Sequence, residues 1–191
     1  GGGVWGWRDV RGRLGRGGWV VVSGARVGGF EGVGMTWGGS AAASAVANGT
    51  VRRDAALFAL GIGPGQEVIT SPCTFAASIN AILRSGASVR FADVCADYTI
   101  DPASVSALIG PATAAVMPVH LYGLPADMRA LMSLAGSHGL AMIEDAAQAH
   151  GADVDGQRAG SFGVGCFSFY ATKNVTSGEG GCITTDDAMH A

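Results

Sequence analysis

Residues 140–148 read Leu140-Ala-Met-Ile-Glu-Asp-Ala-Ala-Gln148, an apolar run that ends in two adjacent carboxylates. A short apolar run of this length predicts a fully buried strand over residues 140–144. Asp145 is then placed at the carboxyl end of that strand, where a carboxylate needs a cationic partner or a strong hydrogen-bond donor. The alternative is an aspartate that only caps the following turn.

Helical and strand patterns alternate along the chain on both sides of this run. Further strands are predicted over residues 67–70, 88–93, 113–119, 165–169 and 181–185, and helices over residues 51–60, 74–84, 102–109 and 125–138. This alternation predicts an α/β fold with a mostly parallel sheet and helices on both faces. Because ligands of such sheets bind beyond the carboxyl ends of the strands, we expect the functional residues there.

The composition excludes several classes of function. The chain has 191 residues, of which 48% are hydrophobic and 14% charged, with a net charge of −3. These values predict a globular domain with an apolar core, and they do not favour a disordered or a nucleic-acid-binding protein. Lys173 is the only lysine and lies outside any Gly-Lys-Ser/Thr pattern, which excludes a P-loop nucleotidase.

The remaining reactive residue types predict no metal site. The four cysteines are too far apart for a Cys-x-x-Cys pair, and the four histidines form no His-Glu-x-x-His pattern. A Gly-x-Ser-x-Gly elbow is also absent, which excludes an α/β-hydrolase. We therefore interpret the cysteines as apolar packing residues in a reducing compartment. With no membrane-spanning run and no signal-peptide pattern, we expect a cytoplasmic protein that does not contact a membrane.

Residues 1–40 differ in composition from residues 41–191. They contain 15 of the 32 glycines, all four tryptophans and five arginines. Glycine, arginine and tryptophan together could bind single-stranded nucleic acid by stacking and charge. The alternative is a poorly ordered leader or a damaged coding region, because no helical or strand periodicity accompanies this composition. We leave this segment unassigned and treat residues 41–191 as the folded domain.

Lys173 and Asp145 suggest pyridoxal phosphate (PLP) chemistry. Lys173 follows the strand predicted over residues 165–169, so that it reaches the same sheet edge as Asp145. A lysine amine forms a Schiff base with the aldehyde of PLP, and a carboxylate keeps the pyridine nitrogen protonated. The phosphate needs donors at a helix N-terminus, which Asn48-Gly49-Thr50 could supply, although such a tripeptide is also a common helix cap.

Several motifs in register resemble one known family. They are Gly61-Ile-Gly-Pro-Gly-Gln-Glu-Val-Ile-Thr70, Met117-Pro-Val-His-Leu-Tyr-Gly-Leu-Pro-Ala-Asp127, Glu144-Asp-Ala-Ala-Gln-Ala-His-Gly151, Gly160-Ser-Phe-Gly163, Ser168-Phe-Tyr-Ala-Thr-Lys-Asn174 and Gly178-Glu-Gly-Gly181. From about Asn48 onward the chain resembles the DegT/DnrJ/EryC1/StrS aminotransferases. The resemblance implies the aspartate aminotransferase-like fold, which is PLP fold type I, with PLP as the cofactor.

The resemblance also implies roles for individual residues. Lys173 would be the Schiff-base lysine and carry the proton transfer, Asp145 the partner of the pyridine nitrogen and Phe75 the aromatic that stacks on the ring. The remaining cofactor contacts would come from Gln148, which would touch the ring face or its 3′-oxygen, and from Gly49, Thr50 and Ser168, which would hold the phosphate. From the residues alone, each of these cofactor contacts has a structural alternative. Phe75 could be a core residue, Gln148 a solvated loop amide, Gly49-Thr50 a helix cap and Ser168 a buried strand hydroxyl. His150 and Glu179 lie inside matching motifs and receive no role.

The chain departs from the family in two ways. Val51-Arg-Arg-Asp54 stands where the family has an apolar helix. Family members are also about twice as long, so the resemblance implies the N-terminal half of a family member. Residues 41–191 would then be a partial PLP-binding large domain, and the C-terminal half of the family would be absent.

Family members mostly aminate nucleotide-linked keto-sugars for polysaccharide or antibiotic biosynthesis, with an amino acid such as glutamate or glutamine as donor, and they act as homodimers. We expect this activity. Lys173 favours it over the related sugar dehydratases, which carry histidine there. The alternative is a non-catalytic remnant that retains only the fold or dimerisation.

Overall fold

The computed structural model describes residues 25–47 and 50–186 of the chain. Its helices are α1 (Ala25–Gly38), α2 (Val51–Ala59), α3 (Ala76–Ser85), α4 (Pro102–Leu108) and α5 (Met128–His138), with a single 3₁₀ turn at Leu121–Gly123. Its strands are β1 (Ala42–Val46), β2 (Glu67–Thr70), β3 (Ser88–Phe91), β4 (Thr113–Met117), β5 (Ala141–Asp145), β6 (Asp153–Val154), β7 (Gln157–Arg158), β8 (Val164–Ser168) and β9 (Gly181–Thr185).

Seven of these strands form one sheet in the order β1-β9-β8-β5-β4-β2-β3. The five strands from β8 to β3 run parallel, whereas β9 pairs antiparallel with both β8 and β1. The predicted mostly parallel sheet is confirmed. The strands β6 and β7 form a separate two-stranded hairpin.

Apolar side chains cover both faces of the sheet, as the continuous apolar strands require. In β2, Val68 packs in a cluster with Leu57 and Ile82 from α2 and α3. Its neighbour Ile69 points to the opposite face and packs in a second cluster that includes Leu131 of α5. Helices therefore pack against both faces of the central strands. Because the strands are fixed in this way, the positions of the loops at their ends are fixed as well.

Local signals in the sequence explain most helix boundaries. Asp101 caps α4 by accepting a hydrogen bond from the Ala103 amide at 2.9 Å, directly before Pro102. Asp127 caps α5 in the same way, and Gly139 ends that helix in the left-handed conformation with φ of 65°. The predicted strands at 67–70 and 181–185 have the observed bounds, and the other predicted elements differ by a few residues at their ends.

Three elements were not predicted: α1, β1 and the β6–β7 hairpin. Helix α1 lies in the glycine-rich segment, and its Phe30 ring meets Phe169 edge-on at 5.3 Å. The expectation of a poorly ordered leader is therefore wrong for residues 25–38. Five glycines in this helix hide any apolar periodicity, because glycine gives no hydrophobic signal. Residues 1–24 lie outside the described part of the chain.

Gly165 in β8 lies where two stretches of backbone approach each other closely. A Cβ atom there would clash with the backbone of Gly160, reaching its Cα at 2.6 Å, and with the side chain of Thr184. The Thr184 hydroxyl donates a hydrogen bond to the Gly160 carbonyl at 2.6 Å across this contact. Glycine is thus required at position 165 by the close approach of two backbones.

We predict that Gly165→Ala lowers the free energy of unfolding by about 2–3 kcal/mol, because the Gly160 backbone and the hydrogen-bonded Thr184 hydroxyl cannot easily move aside. The matched control is Gly136→Ala in α5, where a Cβ would meet nothing within 4 Å. That substitution should raise stability by up to about 1 kcal/mol through helix propensity. Urea unfolding measures both, and equal effects of the two variants would contradict the prediction.

Candidate active site

A cleft of about 770 Å³ opens beyond the carboxyl ends of the parallel strands. Residues from three loops and two helix starts line it. Among them are Thr50, Arg52, Arg53, Phe75, His120, Asp145, Gln148, Ser168, Lys173 and Glu179. The structure thus places the cleft at the sheet edge where strand topology predicts a ligand.

Asp145 forms the floor of the cleft and is 3% exposed. Its Oδ1 accepts hydrogen bonds from Arg52 Nη2 at 3.2 Å and from the Ala147 amide at 3.3 Å. Its Oδ2 accepts from Ser78 Oγ at 2.6 Å and from Arg53 Nη1. Asp145 is therefore the buried anion of a hydrogen-bonded ion-pair network, and its role is not limited to capping a turn.

The network determines the charge state of Asp145. Burial alone would raise the pKa of the carboxyl, but Arg53, Arg52 and the Ser78 hydrogen bond outweigh burial and lower the pKa to about 2. Burial is the main reason that the pKa of Arg52 is lowered, and the Asp145 charge opposes that shift. Asp145 stays ionised at neutral pH.

Arg52 and Arg53 are the site residues that sequence reasoning missed. Both lie in the first turn of α2 and are buried, together with Ala56 and Leu57 one turn later. The signal was present in the sequence. Residues four apart share a helix face, so two arginines four residues before Ala56 and Leu57 belong on the buried face. A buried arginine pair then requires a buried anion nearby.

Lys173 lies in the loop after β8 and lines the same cleft as Asp145. Its backbone amide donates to the Tyr170 carbonyl at 2.9 Å, which fixes the loop. Partial burial and the nearby Arg52 charge lower the pKa of the Lys173 amine, and Asp145 opposes this shift. Ser168, at the end of β8, is buried and accepts a hydrogen bond from the Tyr170 amide at 3.4 Å.

Three further predicted residues also line the cleft. Phe75 immediately precedes α3 and is 76% exposed, so the alternative of a core phenylalanine is wrong. Gln148 is half-buried, and its Oε1 accepts from the Tyr122 amide at 2.7 Å. Thr50 is the N-cap residue of α2. Gly49, the remaining predicted residue, lies outside the described residues.

A second buried carboxylate, Glu144, supports the loops around the cleft. Its oxygens accept hydrogen bonds from the amides of Gly160, Phe162 and Gly163 at 2.7–3.1 Å. His120 Nδ1 accepts from a backbone amide, so its Nε2 donates to Glu144 at 3.0 Å. The two adjacent carboxylates thus have different roles: Asp145 lines the cleft, and Glu144 binds the backbone of a supporting loop.

The structure shows the surroundings of His150 and Glu179, the two motif residues that received no role. The His150 ring packs against the rings of Phe167 and Phe169, with centroids 5.5 and 5.4 Å apart, and burial lowers the pKa of its imidazole. Glu179 is exposed at the cleft. Within residues 25–47 and 50–186, no cluster of three or more potential metal ligands occurs. In the same part of the chain, every helix is too short or too polar to cross a bilayer.

We predict that stability falls as Asp145 is protonated. Its pKa is about 2 in the folded chain and about 3.9 when unfolded, so its stabilising contribution is complete above about pH 4 and is lost as pH falls towards 2. The shift corresponds to roughly 2–3 kcal/mol. Urea unfolding at stepped pH should show wild type and Asp145→Asn converging over this range.

The matched control for this pH dependence is Asp155→Asn. Asp155 also pairs with an arginine, Arg129, at 2.6 Å, but both side chains are more than half exposed. This variant should follow the wild-type pH dependence. A constant difference between wild type and Asp145→Asn from pH 5 to pH 2 would disprove the assigned charge state.

Comparison with known proteins gives a consistent result. The model of the DegT/DnrJ/EryC1/StrS aminotransferase family matches residues 9–191, so that the match extends upstream of Asn48, where the recognisable motifs begin. A UDP-N-acetyl-3-dehydro-alpha-D-glucosamine 3-aminotransferase from Acidithiobacillus ferrooxidans is 52% identical over 145 residues, which are 74% of this chain and 39% of that protein.

Two solved structures share the fold. An aminotransferase from Psychrobacter cryohalolentis superposes with a TM-score of 0.86 at 42% identity, over 96% of this chain and 47% of its own. DesV from S. venezuelae, solved with a ketimine intermediate, superposes with a TM-score of 0.85 at 41% identity, over 96% of this chain and 50% of its own. The chain thus spans about half the length of these structures.

These neighbours are PLP fold type I aminotransferases, which confirms the predicted fold class. Aminotransferases of the matching family depend on PLP. Since the family match covers nearly the whole chain and the described residues carry the corresponding fold, the chain belongs to the DegT/DnrJ/EryC1/StrS aminotransferase family.

Proposed function

We propose that this chain is part of a PLP-dependent aminotransferase. It would transfer an amino group from an amino acid such as glutamate or glutamine to a nucleotide-linked keto-sugar. The observation that carries the proposal is that the only lysine of the chain, Lys173, lines one cleft together with Asp145 and Phe75. These are the amine, the carboxylate and the aromatic ring that the family chemistry needs. They come from the loop after β8, the end of β5 and the start of α3.

The residues of the cleft fit PLP in most respects. When bound, PLP supplies an aldehyde that joins a lysine amine and a ring that withdraws electrons from the reacting carbon. Lys173 would hold the aldehyde carbon and move the proton, and its lowered pKa favours the neutral, reactive amine. Phe75 would cover the ring, and Gln148 would contact the ring face or its 3′-oxygen.

The phosphate would be held at the other end of the cleft. Ser168 and Thr50 offer hydroxyl donors, and Thr50 stands at the positive end of α2. Gly49 would add its backbone amide. Asp145 is the one residue whose surroundings differ from the expected arrangement, because its carboxylate already pairs with Arg52 and Arg53.

We also propose a homodimer as the working assembly. The aromatic side chains Phe75 and Tyr170 line the cleft and are 76% and 47% exposed. Tyr122, whose amide donates to the cleft residue Gln148, is 82% exposed. Apolar surface of this kind favours cover by another protein surface. Residues 41–191 would form part of the PLP-binding large domain. We assign the protein to the cytoplasm, because its four cysteines are all unpaired, as in a reducing compartment.

The second candidate function is a non-catalytic remnant that retains the fold or dimerisation. The arginine pair on Asp145 favours it, because this carboxylate is the proposed partner of the pyridine nitrogen. The two candidates differ in whether Lys173 reacts with PLP.

We predict that the purified chain, incubated with PLP and reduced with borohydride, carries one pyridoxyl group on the Lys173 peptide. Since no other lysine exists in the chain, peptide mass mapping assigns the adduct directly. Lys173→Arg keeps the positive charge and should give no adduct. Circular dichroism should show that both proteins are folded. A folded wild-type chain without an adduct would disprove a PLP-dependent function and leave the remnant.

A further inference from the structure

The arginines at the start of α2 have no task in the proposed reaction. The N-terminus of a helix carries partial positive charge, so cations in its first turn are unfavourable unless an anion lies beside them. Arg52 and Arg53 are nevertheless 1% and 3% exposed, and each contacts Asp145. Their burial is therefore explained by Asp145 and not by the stability of the helix itself.

The Asp145 carboxylate has no place for another donor. An ionised carboxylate offers about four lone-pair directions. In the described part of the chain all four are used, by the two guanidinium groups, the Ser78 hydroxyl and the Ala147 amide. A further N–H group can reach Asp145 only by displacing one of these donors.

The charges of the cleft also disfavour a further cationic donor at Asp145. Two guanidinium groups face one buried carboxylate, which leaves an excess positive charge at the floor of the cleft. A protonated pyridine nitrogen would add a positive charge beside them in surroundings of low dielectric, where like charges repel strongly. Asp145 therefore cannot attract that nitrogen as an unpaired carboxylate would.

The arginine pair is also incompletely satisfied. Arg52 Nε and Nη1 and Arg53 Nε are buried and have no hydrogen-bond partner among the residues that the structure describes. Buried donors without partners are unfavourable. Each guanidinium thus keeps at least one buried donor without a partner among the described residues, and another cation at Asp145 could exchange with one of the arginines.

We infer that Arg52 and Arg53 occupy the position at Asp145 that a protonated pyridine nitrogen would take, so that the arginine pair and the PLP ring compete for one carboxylate. This inference rests on the proposed function, since Lys173 and Phe75 locate the ring in this cleft. Its consequence is that the chain binds PLP more weakly than it would with apolar side chains at positions 52 and 53.

The test compares PLP labelling of Lys173 in wild type, Arg53→Leu and Arg52→Ala. Each variant frees one acceptor position on Asp145, since Ser78 still donates to Oδ2 and Ala147 to Oδ1. One arginine remains in each variant, so the buried charge stays paired. The PLP concentration that gives half-maximal borohydride-trapped labelling should fall about tenfold or more in each variant, the equivalent of one regained hydrogen bond to a charged group. Thermal unfolding without PLP checks that each variant is folded.

The matched control is Arg129→Ala, which removes an arginine from an exposed ion pair whose two residues are not among those that line the cleft. Its half-saturation should equal that of wild type. Equal or weaker labelling of the two cleft variants, with wild type still labelled, would overturn the inference but leave the proposed function; weaker labelling would mean that the arginines hold the phosphate. No labelling of any folded protein would overturn both.

Discussion

The ionised carboxylate of Asp145, buried under the cleft, is the constraint on which the site depends. A buried charge is tolerated only with nearby opposite charge and hydrogen-bond donors. In this chain the donors come from α2, from Ser78 in α3 and from the turn after β5. One carboxylate therefore ties two helix starts to a strand end and fixes where the walls of the cleft stand.

The scaffold around this carboxylate is built from backbone contacts and small residues. Glu144 gathers the amides of the Gly160–Gly163 loop, and Gly165 lets β8 approach that loop closely. Both features help to place β8 beside β5. Because the two strands are parallel, their carboxyl ends lie at the same edge of the sheet. The loop that carries Lys173 follows β8. The position of the Lys173 amine therefore depends on the packing of β8 against the Gly160–Gly163 loop.

Much of the fold and part of the site could be predicted from the sequence. Apolar runs, caps and glycine stops located the central strands and the helices α2 to α5, because these signals act over a few residues. Helix α1 and strand β1 escaped prediction, since a glycine-rich helix and an Ala-Ser strand have little hydrophobic pattern. Their place depends on packing with β9, a contact between residues more than a hundred positions apart.

The sequence by itself determined the alternating α/β order, the single lysine available for imine chemistry and the presence of Asp145 after a buried strand. These follow from residue identity and local pattern. Only the tertiary structure decided that Arg52 and Arg53 meet Asp145, because their partner lies about ninety residues away in sequence. Charge pairing across such a distance depends on which strand end faces which helix start, and that is a property of the assembled sheet.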